Sequence, residues 1–201
     1  MARNLNKSRM RYTRILAGLA LLFGIFGAGK FDPGSVPHEL MRFTGYVLLC
    51  VCAVGRVYST AFIGGAKSKE LITWGPYSVC RNPLYFFSLC GAAGLGFATT
   101  SLTVTAIVFL GFLVIYIDLI GREEKFLESE FGKTFRDFKA RVPRLLPDLT
   151  LYHCPAALTF QPKFFNFAIR DAVWWFAPLP LFYLAELLQQ KSLITPVMRL
   201  F

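Results

Sequence analysis

The sequence contains no Cys-x-x-Cys pair, no internal repeat and no low-complexity segment. Its five cysteines are an odd number, and four of them fall in or beside apolar runs. A disulfide framework and a zinc site are therefore not indicated, and we expect no metal site. The only two histidines, His38 and His153, lie outside the motifs described below and are expected to have no functional role.

Acidic residues are also scarce, with 12 Asp and Glu against 22 Lys and Arg, which gives a net charge of +10. Apolar residues nevertheless make up 55% of the chain, against roughly 45–50% in soluble domains. A chain that is both apolar and basic indicates a membrane protein whose cations mark its cytoplasmic side. Because these cations flank apolar runs, we do not expect a nucleic-acid partner.

Three apolar runs, 15–29, 43–66 and 84–121, predict the membrane-spanning part. The third run would form a helix about 55 Å long, so it must fold back to fit a hydrocarbon core of about 30 Å. The segment 98–101 is the predicted turn of this hairpin. The first run follows a basic segment and could instead be a signal peptide.

Leu127, Phe131, Phe135 and Phe138 recur at helical spacing among charged residues. This pattern predicts an amphipathic helix, at the membrane surface or against protein, that ends before Pro143 and Pro147. The stretch 164–188 is either a kinked fifth span or an interfacial helix. The predicted fold is thus an all-α, polytopic membrane bundle of four to five spans with a cytoplasmic amphipathic helix.

The distribution of Lys and Arg predicts the orientation of this bundle. Four spans place the basic N-terminus, the connector 67–81 and the segment 122–163 on one side, which the positive-inside rule makes cytoplasmic. The turns around 30–38 and 98–101 carry few cations. We therefore predict an integral, multi-pass membrane protein with its N-terminus and its functional site on the cytoplasmic side.

Two groups of motifs flank the hairpin. Gly75-Pro76-Tyr77 and Arg81-Asn82-Pro83-Leu84-Tyr85 precede it, and Glu123-Glu124-Lys125-Phe126-Leu127, Phe131-Gly132 and Val142-Pro143-Arg144 follow it. In this order the motifs resemble those of the isoprenylcysteine carboxyl methyltransferase and phospholipid methyltransferase family of integral membrane enzymes. The resemblance covers residues 69–147, within a single predicted domain of 1–201.

The resemblance implies a methyltransferase that uses S-adenosylmethionine. It suggests catalytic roles for Arg81, Asn82 and Tyr85. The residues it suggests for cofactor binding are Glu70, Leu71, Ile72, Tyr77, Asn82, Pro83, Tyr85, Glu123 and Glu124. Arg56 and Arg122 are candidates for binding an anionic group of the substrate. The expected partners are the lipid bilayer and a lipophilic methyl acceptor, and the oligomeric state is open.

The family motif usually has a histidine at the position of Asn82. Asparagine cannot act as a titrating base near neutral pH. A carboxylate acceptor such as that of an isoprenylcysteine is already ionised and needs no base, so this substitution favours it over an amine or a thiol. A phospholipid or small-molecule N- or S-methyltransferase, an NADPH-dependent reductase of the steroid-reductase type and a catalytically inactive membrane scaffold are the alternatives.

Several of these residues also have an ordinary structural interpretation. Glu123 and Glu124 could pair with cations on a solvated helix, Arg81 could contact lipid headgroups, and Tyr85 could lie at the membrane interface. Arg56 interrupts an apolar run, so it lies either near a helix end or against a ligand or partner. Cys80, inside the motif, could be a space filler.

Overall fold

The computed structural model describes residues 18, 20–64, 70–157, 161–196 and 198–200. It is predominantly helical, as predicted, with one short pair of strands. Residues 20–26 are helical, and the elements after them are β1 (Gly27–Gly29), α1 (Val36–Ile63), α2 (Pro76–Val79), α3 (Pro83–Ala98), α4 (Leu102–Arg141), a 3-10 turn (Leu149–Leu151), α5 (Pro162–Trp174), α6 (Leu179–Gln190) and β2 (Met198–Leu200).

Within the described part of the chain, two helices, α1 and α4, are long and apolar enough to cross a membrane. Only 28% and 39% of their most apolar windows are buried inside the protein. Large apolar side chains such as Val54 and Val114, 70% and 69% exposed, point away from the rest of the chain. A core helix of a soluble protein would bury such side chains, so these faces fit contact with lipid.

The predicted fold-back of the long apolar run is confirmed. Helix α3 ends at Ala98 and α4 begins at Leu102, so the turn falls where the sequence placed it. Thr100 has a φ of +56°, and the hydroxyl of Ser101 accepts a hydrogen bond from the amide of Val104 at the start of α4. The polar residues of this turn thus reverse the chain and cap the second helix.

Two helix boundaries differ from the expectation. Helix α1 begins at Val36, although the sequence indicated a turn there, because Pro37 is tolerated in a first turn and Glu39 favours the positive helix terminus. Helix α4 continues through Gly121 to Arg141 and bends only at Gly132, whose φ is +53°. The amphipathic segment is therefore the last part of α4 and contains this kink.

The C-terminal apolar stretch forms two helices. Helix α5 ends at Trp174 and α6 starts at Leu179, with Pro178 at the junction. The two helices have 13 and 12 residues, and each is shorter than the ~20 residues that a helix needs to span a bilayer. Whether the stretch is a kinked span or lies at the interface stays a prediction. Of the predicted first span, 15–29, residues 15–17 and 19 lie outside the described residues. Residues 20–26 are helical, and this helix gives way to β1 at Gly27.

The chain divides into two compact units, the first made of three segments and the second of two. The first unit comprises 1–51, 89–116 and 174–201. Its core contains Leu49, Leu95, Ala98 and Phe182. Its two strands pair in parallel, with Gly27 opposite Met198.

The second unit comprises 52–88 and 117–173 and holds all the residues predicted for the site. One of its clusters consists of Phe62, Ile72 and Tyr77, and another of Phe135, Phe138 and Val142. Phe135 and Phe138 are 1% and 3% exposed. The amphipathic segment therefore packs against protein, which was one of the two predicted arrangements.

Candidate functional site

The segment from Gly75 to Pro83 is held by the chain that follows α4. Gly75 has a φ of +62°, and a side chain there would overlap the ring of Phe62, so this turn requires glycine. Three backbone hydrogen bonds fix the segment: Gly75 N to His153 O at 2.7 Å, Arg81 N to Pro143 O at 2.9 Å, and Asp148 N to Val79 O at 2.9 Å. These bonds bring the Arg-Asn-Pro and Val-Pro-Arg motifs side by side.

A buried carboxylate, that of Glu124, connects these motifs to α4. Glu124 is 7% exposed. Its Oε1 lies 3.1 Å from Nε of Arg81, and its Oε2 lies 3.2 Å from Nε of Arg144. A carboxylate removed from water needs such partners, because an unpaired buried charge is strongly unfavourable. Three motifs that are distant in the sequence thus meet at one ion-pair network.

Asn82 belongs to the same network. Its side-chain amide donates a hydrogen bond to the carbonyl of Arg144 at 2.9 Å and a longer one to Oε1 of Glu124 at 3.4 Å. A neutral histidine has one N–H, so it could not make both of these donations. Asn82 therefore links the two motifs in this protein.

The hydroxyl of Tyr77 is an unusual feature of α2. Tyr77 is 7% exposed, and within the described part of the chain its hydroxyl has no hydrogen-bond partner. Burial raises the pKa of Tyr77 well above its usual range, the carboxylate of Glu123 raises it further, and Arg56 lowers it. The hydroxyl is therefore neutral at physiological pH, and Glu123 and Arg56 lie within electrostatic reach of it.

Two other predicted site residues, Tyr85 and Pro83, are buried in the first turn of α3. Tyr85 is 7% exposed, so it is not an interfacial belt residue. Ahead of the motif, Leu71 packs with the cluster of Phe135, and Ile72 with that of Phe62. Glu70 is exposed. The structure thus brings most of the predicted cofactor residues into the second unit's core, with Glu70 at its surface.

The two arginines proposed for substrate binding have different surroundings. Arg122 is exposed and pairs with Asp118 one turn earlier in α4, at 2.6 Å. Arg56 lies in α1, about two turns before its end, and pairs with Asp171 of α5. Arg56 also donates to the hydroxyl of Ser88 and to the carbonyl of Leu84 in α3. Arg56 therefore has protein partners instead of a position at the helix end.

An open cleft of about 480 Å³ lies beside the network. Four cations and one carboxylate line it: Arg81, Lys139, Arg141, Arg144 and Asp148. Some of this charge is compensated, since Glu124 pairs with two of the arginines and Glu128 lies 3.5 Å from Lys139. The cleft can receive a small anionic group.

Comparisons with known proteins identify relatives of this chain. Residues 43–134 match the sequence profile of the phospholipid methyltransferase family. The chain is 35% identical over 171 residues to the cobalt-zinc-cadmium resistance protein CzcN of Cupriavidus metallidurans, which covers 85% of this chain and 78% of that protein. It is 32% identical over 171 residues to the nickel-cobalt-cadmium resistance protein NccN of Alcaligenes xylosoxydans xylosoxydans, covering 85% and 79%.

The chain belongs to the isoprenylcysteine and phospholipid methyltransferase family. No solved structure shows a significant match. The family profile includes α3, Asn82 and Glu124 but ends before Val142-Pro143-Arg144. The contacts of Arg144 with Glu124 and Asn82 show that this later motif completes the same network.

The residues of this methyltransferase-family site fit the group that the family uses. S-adenosylmethionine carries an amino group, a carboxylate and ribose hydroxyls. The buried Tyr77 hydroxyl and the indole N–H of Trp74 lack partners within the described residues, as expected of polar groups that a ligand satisfies. Glu123, half-buried near Tyr77, offers an acceptor for the ligand's amino or hydroxyl groups.

Sequence reasoning missed the place of Arg144 in this family site and the pairing of Asp171 beside it. Arg144 was noted within a motif, but its pairing with Glu124 depends on how the chain returns after Pro143. Asp171 interrupts an apolar stretch, and a charge in such a stretch is itself a signal of function. Among the described residues, the structure contains no group of three or more metal-ligating side chains.

Proposed function

We propose that this protein is a membrane-embedded methyltransferase that transfers a methyl group from S-adenosylmethionine to a lipophilic acceptor. The single observation that carries the proposal is the network of Arg81, Asn82, Glu124 and Arg144, which joins the family motifs beside a buried, unpartnered Tyr77 hydroxyl. The sulfonium of S-adenosylmethionine supplies an already activated methyl group. The chain then has to align the two reactants and exclude water.

In this proposal, the site residues have three tasks. Glu124 holds Arg81 and Arg144 in place, and Asn82 fixes the Val-Pro-Arg segment against them. Tyr77 and Glu123 contact polar groups of the methyl donor. Tyr85 and Pro83 form the buried floor from which α3 begins.

The acceptor class rests on different grounds. Asn82 cannot act as a base, which favours an acceptor that is already ionised, such as the carboxylate of an isoprenylcysteine. Phospholipid amines are the alternative acceptors.

A screen with tritiated S-adenosylmethionine, using the purified protein with prenylcysteines, phospholipids and a native lipid extract, tests the proposal. Label in an extractable product supports it, whereas a folded protein that labels nothing favours an inactive scaffold.

We also propose that four to five spans place the site on the cytoplasmic side. The two apolar helices α1 and α4 and the basic segments support this arrangement. Cys154 is exposed and follows the site in the sequence. In sealed right-side-out vesicles, an impermeant maleimide should label Cys154 only after permeabilisation. Labelling of Cys154 in intact vesicles would contradict the cytoplasmic location and indicate the opposite orientation.

A contribution to metal tolerance is a second candidate function, since CzcN and NccN are both named as metal-resistance proteins. A role in metal tolerance is compatible with methyl transfer, because the methylated product could contribute to resistance against metal ions. A strain lacking this protein should then grow less well in cobalt or cadmium, and Tyr77→Phe should restore growth less fully than the wild type. Unchanged growth of the deletion strain would remove this candidate.

A further inference from the structure

A charged cluster in the second unit lies beside the family site, and the function proposed above gives it no role. The guanidinium of Arg56 pairs with the carboxylate of Asp171, whose Oδ2 is 3.1 Å from Nε of Arg56. The cluster also includes the hydroxyl of Ser88, to which Arg56 donates. Asp171 lies outside the matched family profile, so the family motifs do not assign it a role.

This cluster contacts the first turn of α3. Arg56 reaches the carbonyl of Leu84, which stands between Pro83 and Tyr85 of the Arg-Asn-Pro-Leu-Tyr motif. Arg56 and Glu123 also both act electrostatically on the Tyr77 hydroxyl. The cluster therefore borders the place where we put the methyl donor.

The exposure of the two charged side chains decides which kind of ligand can reach them. The side chain of Arg56 is 17% exposed, and that of Asp171 is 37% exposed. A cation can therefore approach Asp171 more easily than an anion can approach Arg56. An anion would also have to displace Asp171 from the guanidinium. A carboxylate has about four lone-pair sites, so a second cation can bind Asp171 while Arg56 stays in place.

We propose that Asp171, held by Arg56, binds a cationic head group of the methyl acceptor and accepts its proton. The proposal rests on the methyltransferase function proposed above and deepens it. It names an amphiphile with a protonated amine as the acceptor class, and it supplies the base that Asn82 cannot provide. It thereby replaces the carboxylate acceptor favoured above, which rested on Asn82 alone, by the amine acceptor named there as the alternative.

The proton and electron balance of this step is simple. An ammonium head group has no free electron pair, so it must first give one proton to the carboxylate of Asp171. The acceptor nitrogen then forms a bond to the methyl carbon as the carbon–sulfur bond breaks, and that electron pair stays on sulfur. The products are a methylated ammonium, S-adenosylhomocysteine and a proton that passes from Asp171 to water.

The test compares two soluble amphiphiles of matched chain length, octylamine and octanoate, by titration into the detergent-purified full-length protein. Binding of S-adenosylhomocysteine is measured in the same samples. Octylamine should bind more tightly than octanoate. Asp171→Asn should weaken octylamine binding about tenfold or more, because it removes a charge-assisted contact. Asp137→Asn, at an exposed carboxylate in the same unit, should leave both affinities unchanged.

Two further variants keep the test decisive. Asp171→Glu retains the charge and should retain octylamine binding. If Asp171→Asn misfolds because Arg56 is left unpaired, the double variant Arg56→Gln with Asp171→Asn removes both charges and should fold without binding octylamine. Failure of the wild type to bind S-adenosylhomocysteine would overturn the proposed function. Retained binding of S-adenosylhomocysteine with octylamine binding that is weaker than that of octanoate, or unaffected by loss of Asp171, would overturn this inference alone.

Discussion

At the scale of single residues, Glu124 illustrates how one buried charge can organise a site. Its two oxygens lie near two different guanidinium groups, and its carboxylate is almost fully removed from water. Pairing of this quality offsets the desolvation of the charges only while every partner is present. Removal of the carboxylate leaves Arg81 buried without its counter-ion.

We therefore expect Glu124→Gln to lower the free energy of unfolding by about 3–5 kcal/mol. Glu128→Gln is the matched control, because Glu128 is 3.5 Å from Lys139 and both side chains are more than a third exposed. An exposed pair contributes less than about 1 kcal/mol. Thermal unfolding in detergent measures both variants. Equal losses in the two would mean that Glu124 does not hold the motifs together.

Cys80 offers a second test at this scale. Burial raises the pKa of its thiol to about 11, although the Asn82 amide and Arg81 act in the opposite direction. Its thiolate fraction at pH 8 is then on the order of one in a thousand. Iodoacetamide at pH 8 should alkylate the exposed Cys154 readily and Cys80 only after unfolding. Rapid alkylation of Cys80 in the folded protein would contradict the observed burial.

The same pKa shift gives a pH dependence of stability. The folded-state pKa is raised above the usual 9.0 of a thiol, so the neutral form is favoured by folding. The contribution of the neutral Cys80 thiol to the free energy of unfolding is complete below pH 9 and is lost as the pH rises towards 11. Unfolding midpoints measured over this range should fall less steeply in Cys80→Ala than in the wild type, and equal slopes would contradict the assignment.

At the scale of elements, two glycines have nearly the same backbone conformation but differ in the space around them. Comparing them distinguishes the effect of backbone strain from that of a steric clash. Gly75 has φ and ψ of 62° and −134°, and Gly132 has 53° and −119°. A Cβ at Gly75 would overlap the Phe62 ring, whereas nothing lies within 4 Å of one at Gly132. Gly75 begins the motif segment, and Gly132 forms the kink of α4.

Gly75→Ala and Gly132→Ala should therefore both be destabilised by backbone strain, of order 1–3 kcal/mol. Only Gly75→Ala should carry an additional cost from the clash with Phe62. Denaturant or thermal unfolding of the two variants checks this difference. A larger loss for Gly132→Ala would show that the kink, and not the turn before α2, is the more constrained element.

The sequence predicted some elements well, and the reasons are physical. The turn at 98–101 was predictable because no single helix of that length fits a bilayer, and the polar residues there mark the reversal. The continuation of α4 through Gly121 was not predictable, because a change from apolar to charged residues alters the surroundings of a helix without ending it. Pro178 was visible, but whether it would kink a span or separate two helices depends on packing.

At the scale of the whole molecule, the second unit brings together residues that are far apart in the sequence. The sequence placed the motif of Arg81 and the motif of Glu124 on the same side of the membrane at one hairpin, and in the structure the two side chains form an ion pair. The pairing of Arg56 with Asp171 could not be read from the sequence, since it depends on where α5 returns. Local patterns predict helices and turns, whereas contacts between distant segments follow from packing.

The proposed function requires that this unit bind S-adenosylmethionine. The most direct test is calorimetric titration of S-adenosylhomocysteine into the detergent-purified protein, with Tyr77→Phe and the control Tyr152→Phe. We expect saturable binding by the wild type and by Tyr152→Phe. Tyr77→Phe should bind about two- to tenfold more weakly, because it loses one hydrogen bond without disturbing the core. Absence of binding by folded wild-type protein would contradict the proposed function.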